Sequence, residues 1–129
     1  AERILELSTL TGAAVVALGE EVAALFATDG AWGEKVREAA GRAGEKVWPM
    51  PLERAYREKL KSPVADLKNV GDRNGGAITA ALFLSEFVKV PLVHLDIAGP
   101  AFAKKAHALG PEGGTGFGVR TLLEVAQAL

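Results

Sequence analysis

An imidazole and a carboxylate two residues apart are the side chains of this sequence best placed to do chemistry. His94 and Asp96 interrupt an otherwise apolar stretch, Leu92–Ala101, which has strand length and is broken by Gly99-Pro100. Such a stretch is typical of a strand buried between helices in an α/β sheet. Because side chains alternate along a strand, the two groups are predicted to share one face, about 7 Å apart. They form either the edge of a functional site or a hydrogen-bonded structural pair.

A serine hydrolase built on this pair is disfavoured. Ser8, Ser62 and Ser85 all lie outside a Gly-x-Ser-x-Gly turn. A triad also needs the carboxylate behind the imidazole, whereas two residues on one strand face lie side by side. The residues by themselves therefore predict an α/β layer without a nucleophile.

Signatures of metal and nucleotide binding are also missing. The sequence has no cysteine, which excludes disulfides, zinc–thiolate sites and thiol nucleophiles, and its only imidazoles are His94 and His107. No His-Glu-x-x-His or EF-hand pattern occurs, and only Asp66, Asp72 and Asp96 are acidic residues predicted in loops or the strand core. The glycine-rich stretch 110–118 lacks the phosphate-binding patterns Gly-x-Gly-x-x-Gly and Gly-Lys-Ser/Thr. We predict no metal ligand in this chain.

Size and composition predict one soluble domain spanning residues 1–129. Hydrophobic residues make up 49% and charged residues 24%, close to the average of globular proteins. With 15 basic and 16 acidic residues the net charge is −1, so no nucleic acid or anionic membrane is expected as a partner. No apolar segment approaches the ~20 residues of a membrane span, and no leader is apparent, so we expect a cytoplasmic protein. The start at Ala1, close to a predicted strand, suggests a processed product or a fragment.

Strands and helices are predicted to alternate in the first half of the chain. A strand over Arg3–Leu7 precedes a helix over 12–18 that Thr11 caps, and Asp29 caps a helix over Trp32–Ala43 that ends at Gly44. The turn between the first strand and helix is a weak candidate for binding an anion or a polar substrate group. Residues 21–27 fit either a strand or a continuing helix, because their periodicity does not decide.

The second half combines helices with two long loops. Pro51 suits the first turn of a helix that runs to Lys61, whose inward face is predicted to consist of Leu52, Ala55, Tyr56 and Leu60. Residues 66–76 form a polar, glycine-rich loop of a length at which function becomes more common than simple connection. A helix over Ala77–Lys89 is predicted to bury Ala80, Ala81, Leu84, Phe87 and Val88 against the sheet. The last helix, Val119–Leu129, has an apolar face predicted through Leu122, Leu123, Ala126 and Leu129.

Six motifs, all in one order, carry a resemblance to a known family. They are STLTGA from Ser8, VWPMPL from Val47, DLKNVG from Asp66, GGAITAA from Gly75, HLDIAG from His94 and TGFGVR from Thr115. Together they resemble the C-terminal part of the cytosolic leucine aminopeptidase family, which are two-metal exopeptidases. The resemblance covers essentially the whole chain. It implies a partial catalytic domain in which helices are layered on a mixed, largely parallel sheet.

The resemblance also implies a division of roles. In that family two divalent metals, Zn or Mn, and the catalytic lysine and arginine are held by an earlier part of the chain. It therefore implies no catalytic residue or metal ligand here, and an isolated chain that is inactive. The implied role is substrate binding: Leu10 through its backbone to bicarbonate and peptide, Val70 to the residue after the scissile bond, and Thr9, Gly12, Ala98 and Ala101 as the pocket for the N-terminal side chain.

Family membership further implies a peptide substrate and a homo-oligomer, the hexamer of the family. Ser8 and Glu6 stand where the family commonly has alanine and aspartate, and Ala101 is smaller than the methionine of some members, so substrate preference transfers least well. Under this interpretation His94 and Asp96 fix the strand end, and small residues after it shape the pocket. The alternatives are a non-catalytic binding or assembly module derived from the family, and a complementation partner for a separate chain that holds the metals.

Overall fold

A four-stranded sheet with helices on both faces forms the framework of the computed structural model, which describes residues 1–129. The first half contains β1 (Ile4–Ser8), α1 (Gly12–Leu18), β2 (Ala23–Ala27), α2 (Gly30–Ala43) and β3 (Val47–Pro49). The second half contains a 3₁₀ helix (Arg54–Leu60), α3 (Gly76–Ser85), β4 (Leu92–Asp96), the short β5 (Phe102–Ala103) and β6 (Gly113–Gly114), and α4 (Val119–Gln127). None of the helices has the length and apolar character needed to cross a bilayer.

The sheet has the order β1-β4-β2-β3. The pairs β1–β4 and β2–β3 are parallel and the pair β2–β4 is antiparallel, which confirms a mixed, largely parallel sheet. All five residues of β4 are buried, as its apolar sequence predicts. Residues 21–27, which the sequence left open between strand and helix, contain the buried strand β2.

Two apolar clusters cover the two faces of the sheet. On one face α2 and α4 pack on β2 and β4 through Leu25, Trp32, Val36, Ala39, Val93, Leu95 and Val125. On the other face α1 and α3 pack on β2 through Ala14, Ala24, Phe26, Ala77 and Ala81. Because side chains alternate along β4, the apolar Val93 and Leu95 face the first cluster while His94 and Asp96 face the second.

The predicted helix caps are confirmed at α1 and α2. The Thr11 hydroxyl accepts a hydrogen bond from the Ala14 N–H at 3.0 Å, and the Asp29 carboxylate accepts one from the Trp32 N–H at 2.8 Å. Gly44 ends α2 in the left-handed conformation, with φ 69°. These short-range signals determined where both helices begin and where α2 ends.

The prediction for α3 was wrong in its extent and in its inward face. The helix ends at Ser85, whose hydroxyl donates to the Leu82 carbonyl at 2.7 Å, and Phe87 beyond it is 69% exposed. The fully buried residues are Ala77, Thr79, Ala81 and Leu82, so of the predicted set only Ala81 is fully buried. A helix that is apolar on all sides carries no periodic signal to set its rotation.

The segment after Pro51 also differs from prediction. Its helix starts only at Arg54 and has 3₁₀ geometry. Leu60 is fully buried as predicted, whereas Ala55 and Tyr56 are exposed. The tighter 3₁₀ winding places side chains three residues apart in line, which changes the face that a 3.6-residue repeat predicts.

The prediction for α4 was wrong about which side faces inward. Thr121 and Val125 are buried, while Leu122, Leu123, Ala126 and Leu129 are exposed. The rotation of the helix is set by the buried carboxylate of Glu45, which accepts hydrogen bonds from the Thr121 N–H at 2.9 Å and the Thr121 hydroxyl at 2.6 Å. The two partners are 76 residues apart in sequence, so local periodicity could not reveal the contact.

A substitution at Gly118, at the start of α4, tests how closely this helix packs on the sheet. Its φ is 95°, and a Cβ added there would lie 2.2 Å from a methyl carbon of Leu7 in β1. We expect Gly118→Ala to lower the free energy of unfolding by about 2 kcal/mol, from backbone strain and overpacking, in urea denaturation. Gly41→Ala is the matched control: a Cβ there meets nothing within 4 Å inside α2, and it should stabilise by about 0.5 kcal/mol. Equal unfolding midpoints for the two variants would contradict this account.

Candidate functional site

The carboxyl ends of β1 and β4 lie side by side. The strands are parallel, Ser8 stands opposite Asp96, and the Ile97 N–H donates to the Ser8 carbonyl at 2.9 Å. The turns that follow the two strands therefore leave the sheet at the same end, the carboxyl end of β1 and β4. In open α/β sheets ligands usually bind just beyond this end of the strands.

The side chain of Asp96 holds the two turns together. It is 1% exposed, and its Oδ1 accepts hydrogen bonds from the N–H groups of Leu10 at 3.1 Å, Thr11 at 3.4 Å and Ala98 at 3.2 Å. Its Oδ2 accepts a hydrogen bond from the Thr11 hydroxyl at 2.6 Å. One buried carboxylate thus links the turn after β1, the start of α1 and the turn after β4.

This arrangement brings five of the six predicted substrate residues to the carboxyl end of β1 and β4. Thr9, Leu10 and Gly12 lie exposed in and just after the first turn, and Ala98 and Ala101 lie half-buried in the second. The exposed residue Val70 takes no part in the hydrogen bonds of Asp96. It lies in the loop that an ion pair of 2.9 Å between Lys59 and Asp72 ties to the 3₁₀ helix. The two turns form a continuous wall of mostly small side chains, which we call the turn wall: residues 9–12 and 98–101.

Gly99 is required by a close approach inside the turn wall. A Cβ at this position would lie 2.3 Å from the carbonyl oxygen of Gly19, just after α1. Only glycine lets the second turn pack directly on the end of that helix. Gly99 is one of the small residues after the strand that are predicted to shape the pocket, and in the structure it is buried against backbone.

Two residues that sequence reasoning missed support the second turn from behind. The Thr115 N–H donates to the Ala101 carbonyl at 3.0 Å, and its hydroxyl donates to the Pro100 carbonyl at 2.6 Å. Farther along, Glu45 accepts a hydrogen bond from the Gly118 N–H at 3.0 Å, so the glycine-rich loop is fixed at both ends. A start of α4 without a side-chain cap of its own was the only local hint of the Glu45 contact.

A cavity of about 790 Å³ lies beside the turn wall. It is bordered by Pro100, Phe102 and Thr115 on one side and by Glu45 and Lys46 on the other, and by none of the predicted substrate residues. Two of its three lysines pair with carboxylates: Lys46 with Glu21 at 2.8 Å and Lys104 with Glu20 at 2.5 Å. The cavity therefore meets the turn wall only at Pro100.

His94 and Asp96 share a sheet face but do not bond to each other. The Nδ1 of His94 hydrogen-bonds to the Glu6 carboxylate, and its ring stacks on Phe26 with centroids 5.9 Å apart. The Nε2 of His94 and the hydroxyl of Ser8 are buried without a hydrogen-bond partner. Burial raises the pKa of Glu6, but the hydrogen bond and the charge of His94 lower it more, so its net pKa lies below the ordinary value. Each member of the suspected pair thus has its own structural partner.

The chain contains no group of three or more His, Cys, Asp and Glu side chains arranged to hold a metal ion. Asp96 directs both oxygens at turn donors, and the exposed Asp72 binds Lys59 and the Asn74 N–H. The side chains present therefore do not fit a two-metal centre.

This arrangement defines an α/β domain in which two turns are joined at the carboxyl ends of parallel strands, where open sheets usually bind ligands. The model of the cytosol aminopeptidase family, catalytic domain, matches residues 1–123. The chain belongs to this family of peptidases.

Curated relatives agree with this assignment. A probable cytosol aminopeptidase of Nitratidesulfovibrio vulgaris is 56% identical over 126 residues, which are 96% of this chain and 25% of the relative. One of Synechococcus sp. (strain RCC307) is 52% identical over 130 residues, covering 99% of this chain and 26% of the relative. The chain thus spans about a quarter of the length of the curated relatives it matches.

Solved structures share the fold closely. A lysine-to-glutamate mutant of tomato leucine aminopeptidase matches with a TM-score of 0.92 and 47% identity, over 100% of this chain and 25% of the tomato chain. The bottromycin maturation enzyme BotP matches with a TM-score of 0.94 and 46% identity, over 99% of this chain and 29% of BotP. The partial leucine aminopeptidase-like fold predicted from the six motifs is confirmed.

The role of Asp96 can be tested by Asp96→Asn. An amide keeps only one acceptor oxygen, so either the backbone N–H groups of the turn wall or the Thr11 hydroxyl face an NH₂ group. We expect a loss of about 2 kcal/mol in the free energy of unfolding and faster amide exchange at Leu10 and Ala98. Asp66→Asn, in an exposed loop, is the control and should change neither; identical behaviour of the two variants would rule out the linking role.

The Glu6–His94 contact predicts a pH dependence of stability. The pKa of Glu6 is lower in the folded chain than its ordinary value of 4.5. The ionised carboxylate therefore contributes to the free energy of unfolding at pH values above 4.5, and this contribution is lost as the pH falls through the lower pKa of the folded chain. The difference in unfolding free energy between the natural chain and Glu6→Gln should therefore shrink below pH 4.5. Urea titrations at a series of pH values measure it, with the exposed Glu112→Gln as control. A difference that stays constant with pH would contradict the prediction.

Proposed function

We propose that this chain forms the substrate-binding side of a metal-dependent leucyl aminopeptidase, an enzyme that removes N-terminal residues from peptides. The observation that carries the proposal is the family match over residues 1–123 together with the turn wall that Asp96 holds at the sheet edge. In the proposal, the Leu10 backbone contacts bicarbonate and peptide, Val70 contacts the residue after the scissile bond, and the N-terminal side chain of the substrate lies against Thr9, Gly12, Ala98 and Ala101.

The chemistry of the turn wall supports this role. Small side chains leave room for a leucine-sized group. The Leu10 N–H is held by Asp96, so the Leu10 carbonyl is the backbone group that would accept a hydrogen bond from a peptide. Because Asp96 fixes both turns before any ligand binds, little conformational freedom remains to be lost on binding. A preformed wall of this kind suits the positioning of a substrate rather than the supply of reactive groups.

We place the catalytic groups in the remainder of the family's catalytic domain. Two divalent metals, Zn or Mn, would supply an activated water and polarise the peptide carbonyl there. One solved relative, BotP, is described in complex with Mn. The proposal includes cytoplasmic location and the hexameric assembly of the family, and it holds that the isolated chain does not hydrolyse peptides.

A hybrid enzyme tests the proposal. The segment of the N. vulgaris relative that matches this chain would be replaced by these 129 residues, and hydrolysis of leucine and alanine p-nitroanilides would be measured with added Mn²⁺. We expect metal-dependent activity from the hybrid and none from the isolated chain. Robust hydrolysis by the isolated chain, or an inactive but folded and metal-loaded hybrid, would overturn the proposal.

The pocket assignment has its own test in the same hybrid. Ala98→Leu should fill the pocket and lower kcat/KM for the leucine substrate roughly tenfold or more, with a smaller effect on the alanine substrate. Ala65→Leu, in an exposed loop, is the matched control and should leave both substrates unchanged. An equal effect of Ala98→Leu on both substrates would argue against a side-chain pocket at this place.

A further inference from the structure

The cavity beside the turn wall has the size of a small-molecule binding site, and none of the predicted substrate residues borders it. Its volume of about 790 Å³ falls within the range that is usual for ligand pockets. Its walls come from three parts of the chain: the turn after α1, the residues that follow α2, and parts of the segment 100–120. Exposed ion pairs from Lys46 to Glu21 and from Lys104 to Glu20 connect the second and third parts to the first.

The carboxylates that border the cavity are all engaged. Glu20 and Glu21 belong to the two ion pairs, and the buried Glu45 accepts hydrogen bonds from the Gly118 N–H and from the N–H and hydroxyl of Thr121. The wall carries four lysine and arginine side chains against these three carboxylates. It therefore has an excess of positive charge and no carboxylate left for a cationic ligand.

Two cationic side chains of the wall remain available to a ligand. The exposed Lys105 takes part in no side-chain hydrogen bond and no ion pair. Arg120 approaches Glu45 only at 3.6 Å through its Nε, and its side chain is 52% exposed. Because Glu45 is already bonded to three other donors, the guanidinium keeps N–H groups that can donate to a ligand carboxylate at two points.

His107 adds a third donor to the wall. Its Nδ1 accepts a hydrogen bond from the Leu109 N–H at 3.3 Å, and the backbones of His107 and Gly110 bond in both directions at 2.9 and 3.2 Å. A neutral imidazole that accepts at Nδ1 carries its proton on Nε2. The tight turn over residues 107–110 thus holds an N–H donor whose tautomer is fixed.

Apolar side chains border the same cavity. Phe102 is 61% exposed, Leu109 is 76% exposed, and Phe117 is half-buried. Aromatic rings with free faces or edges can pack on another ring or on a branched chain. A cavity that combines apolar side chains with a few polar donors suits a ligand that has an apolar body and a negative end.

We propose that this cavity binds a small organic acid. Its carboxylate bonds to Arg120 and Lys105, and its aromatic or branched body lies against Phe102 and Phe117. The acid carries no ammonium group, because a positive charge placed there would meet two cations and no free carboxylate. Free amino acids, which peptide hydrolysis releases, are therefore poor ligands. The inference goes beyond the proposed function and does not depend on it, since binding needs neither a metal nor hydrolysis.

Three matched probes test the inference on the 129-residue chain. Hydrocinnamate, its neutral analogue hydrocinnamide, and phenylalanine, which adds an ammonium group, would each be titrated into the isotope-labelled chain and followed by amide NMR. We expect hydrocinnamate to shift the amides of Lys105, Gly116 and Phe117 in a saturable way, and the other two probes to bind about tenfold more weakly or worse. Equal affinities for hydrocinnamate and hydrocinnamide, tighter binding of phenylalanine, or no saturable shifts at these amides would overturn the inference.

Substitutions of the two cations locate the carboxylate. Arg120→Gln should weaken the binding of hydrocinnamate about tenfold and Lys105→Gln about threefold, because each removes a charged donor. Lys35→Gln is the matched control: it removes the same charge from the exposed side of α2 and should leave the affinity unchanged. All three side chains are exposed, so the variants keep the fold, which unshifted amides in β4 would verify. An equal loss of affinity in Arg120→Gln and Lys35→Gln would reveal a general effect of charge and contradict the site.

Discussion

The hydrogen bonds of one buried carboxylate hold the candidate functional site of this domain together. Asp96 sits at the end of the central strand β4 and accepts from Leu10, Thr11 and Ala98, so two turns that are more than 80 residues apart in sequence become one wall. A buried carboxylate without donors would cost several kcal/mol, and here the backbone N–H groups of the turns supply the compensation. The folding of the turns and the burial of the charge therefore depend on each other.

A second buried carboxylate, farther from the candidate site, also accepts hydrogen bonds from backbone N–H groups of a distant segment. Glu45 follows α2 and accepts from Gly118 and Thr121 at the start of α4, a helix that lacks a side-chain cap of its own. Thr115, three residues before Gly118, separately donates to the Pro100 and Ala101 carbonyls of the turn wall. In both cases a charged acceptor stabilises a helix start, where unpaired N–H groups carry partial positive charge. The end of the glycine-rich stretch, residues 115–118 after β6, is thereby held by side-chain hydrogen bonds at Thr115 and Gly118.

The proposed role of this domain is to position a substrate rather than to react with it. Its titratable groups at the sheet edge are occupied in structural contacts: His94 with Glu6, and Asp96 with the turns. The chain belongs to the cytosol aminopeptidase family but spans about a quarter of its relatives, and it leaves a strand edge and an apolar helix face uncovered. In the proposed function the substrate wall lies in this chain and the metals lie in the rest of the family's polypeptide. This accounts for the engagement of the titratable groups in structural contacts and for the uncovered apolar surface.

Sequence alone determined those features whose causes are local. Thr11 and Asp29 begin helices because their side chains bond N–H groups three residues on, the run from Leu92 to Asp96 forms a buried strand because it is mostly apolar, and six ordered motifs identified the family. Tertiary structure alone decided which sides of α3 and α4 face inward. Helix α3 is apolar on all sides, so its periodicity gives no direction, and the rotation of α4 is set by its contact with the distant Glu45. It also decided that His94 and Asp96 serve separate partners. Those partners lie on β1 and the turn after it, more than 80 residues away, and only the parallel pairing of β1 with β4 brings them within reach.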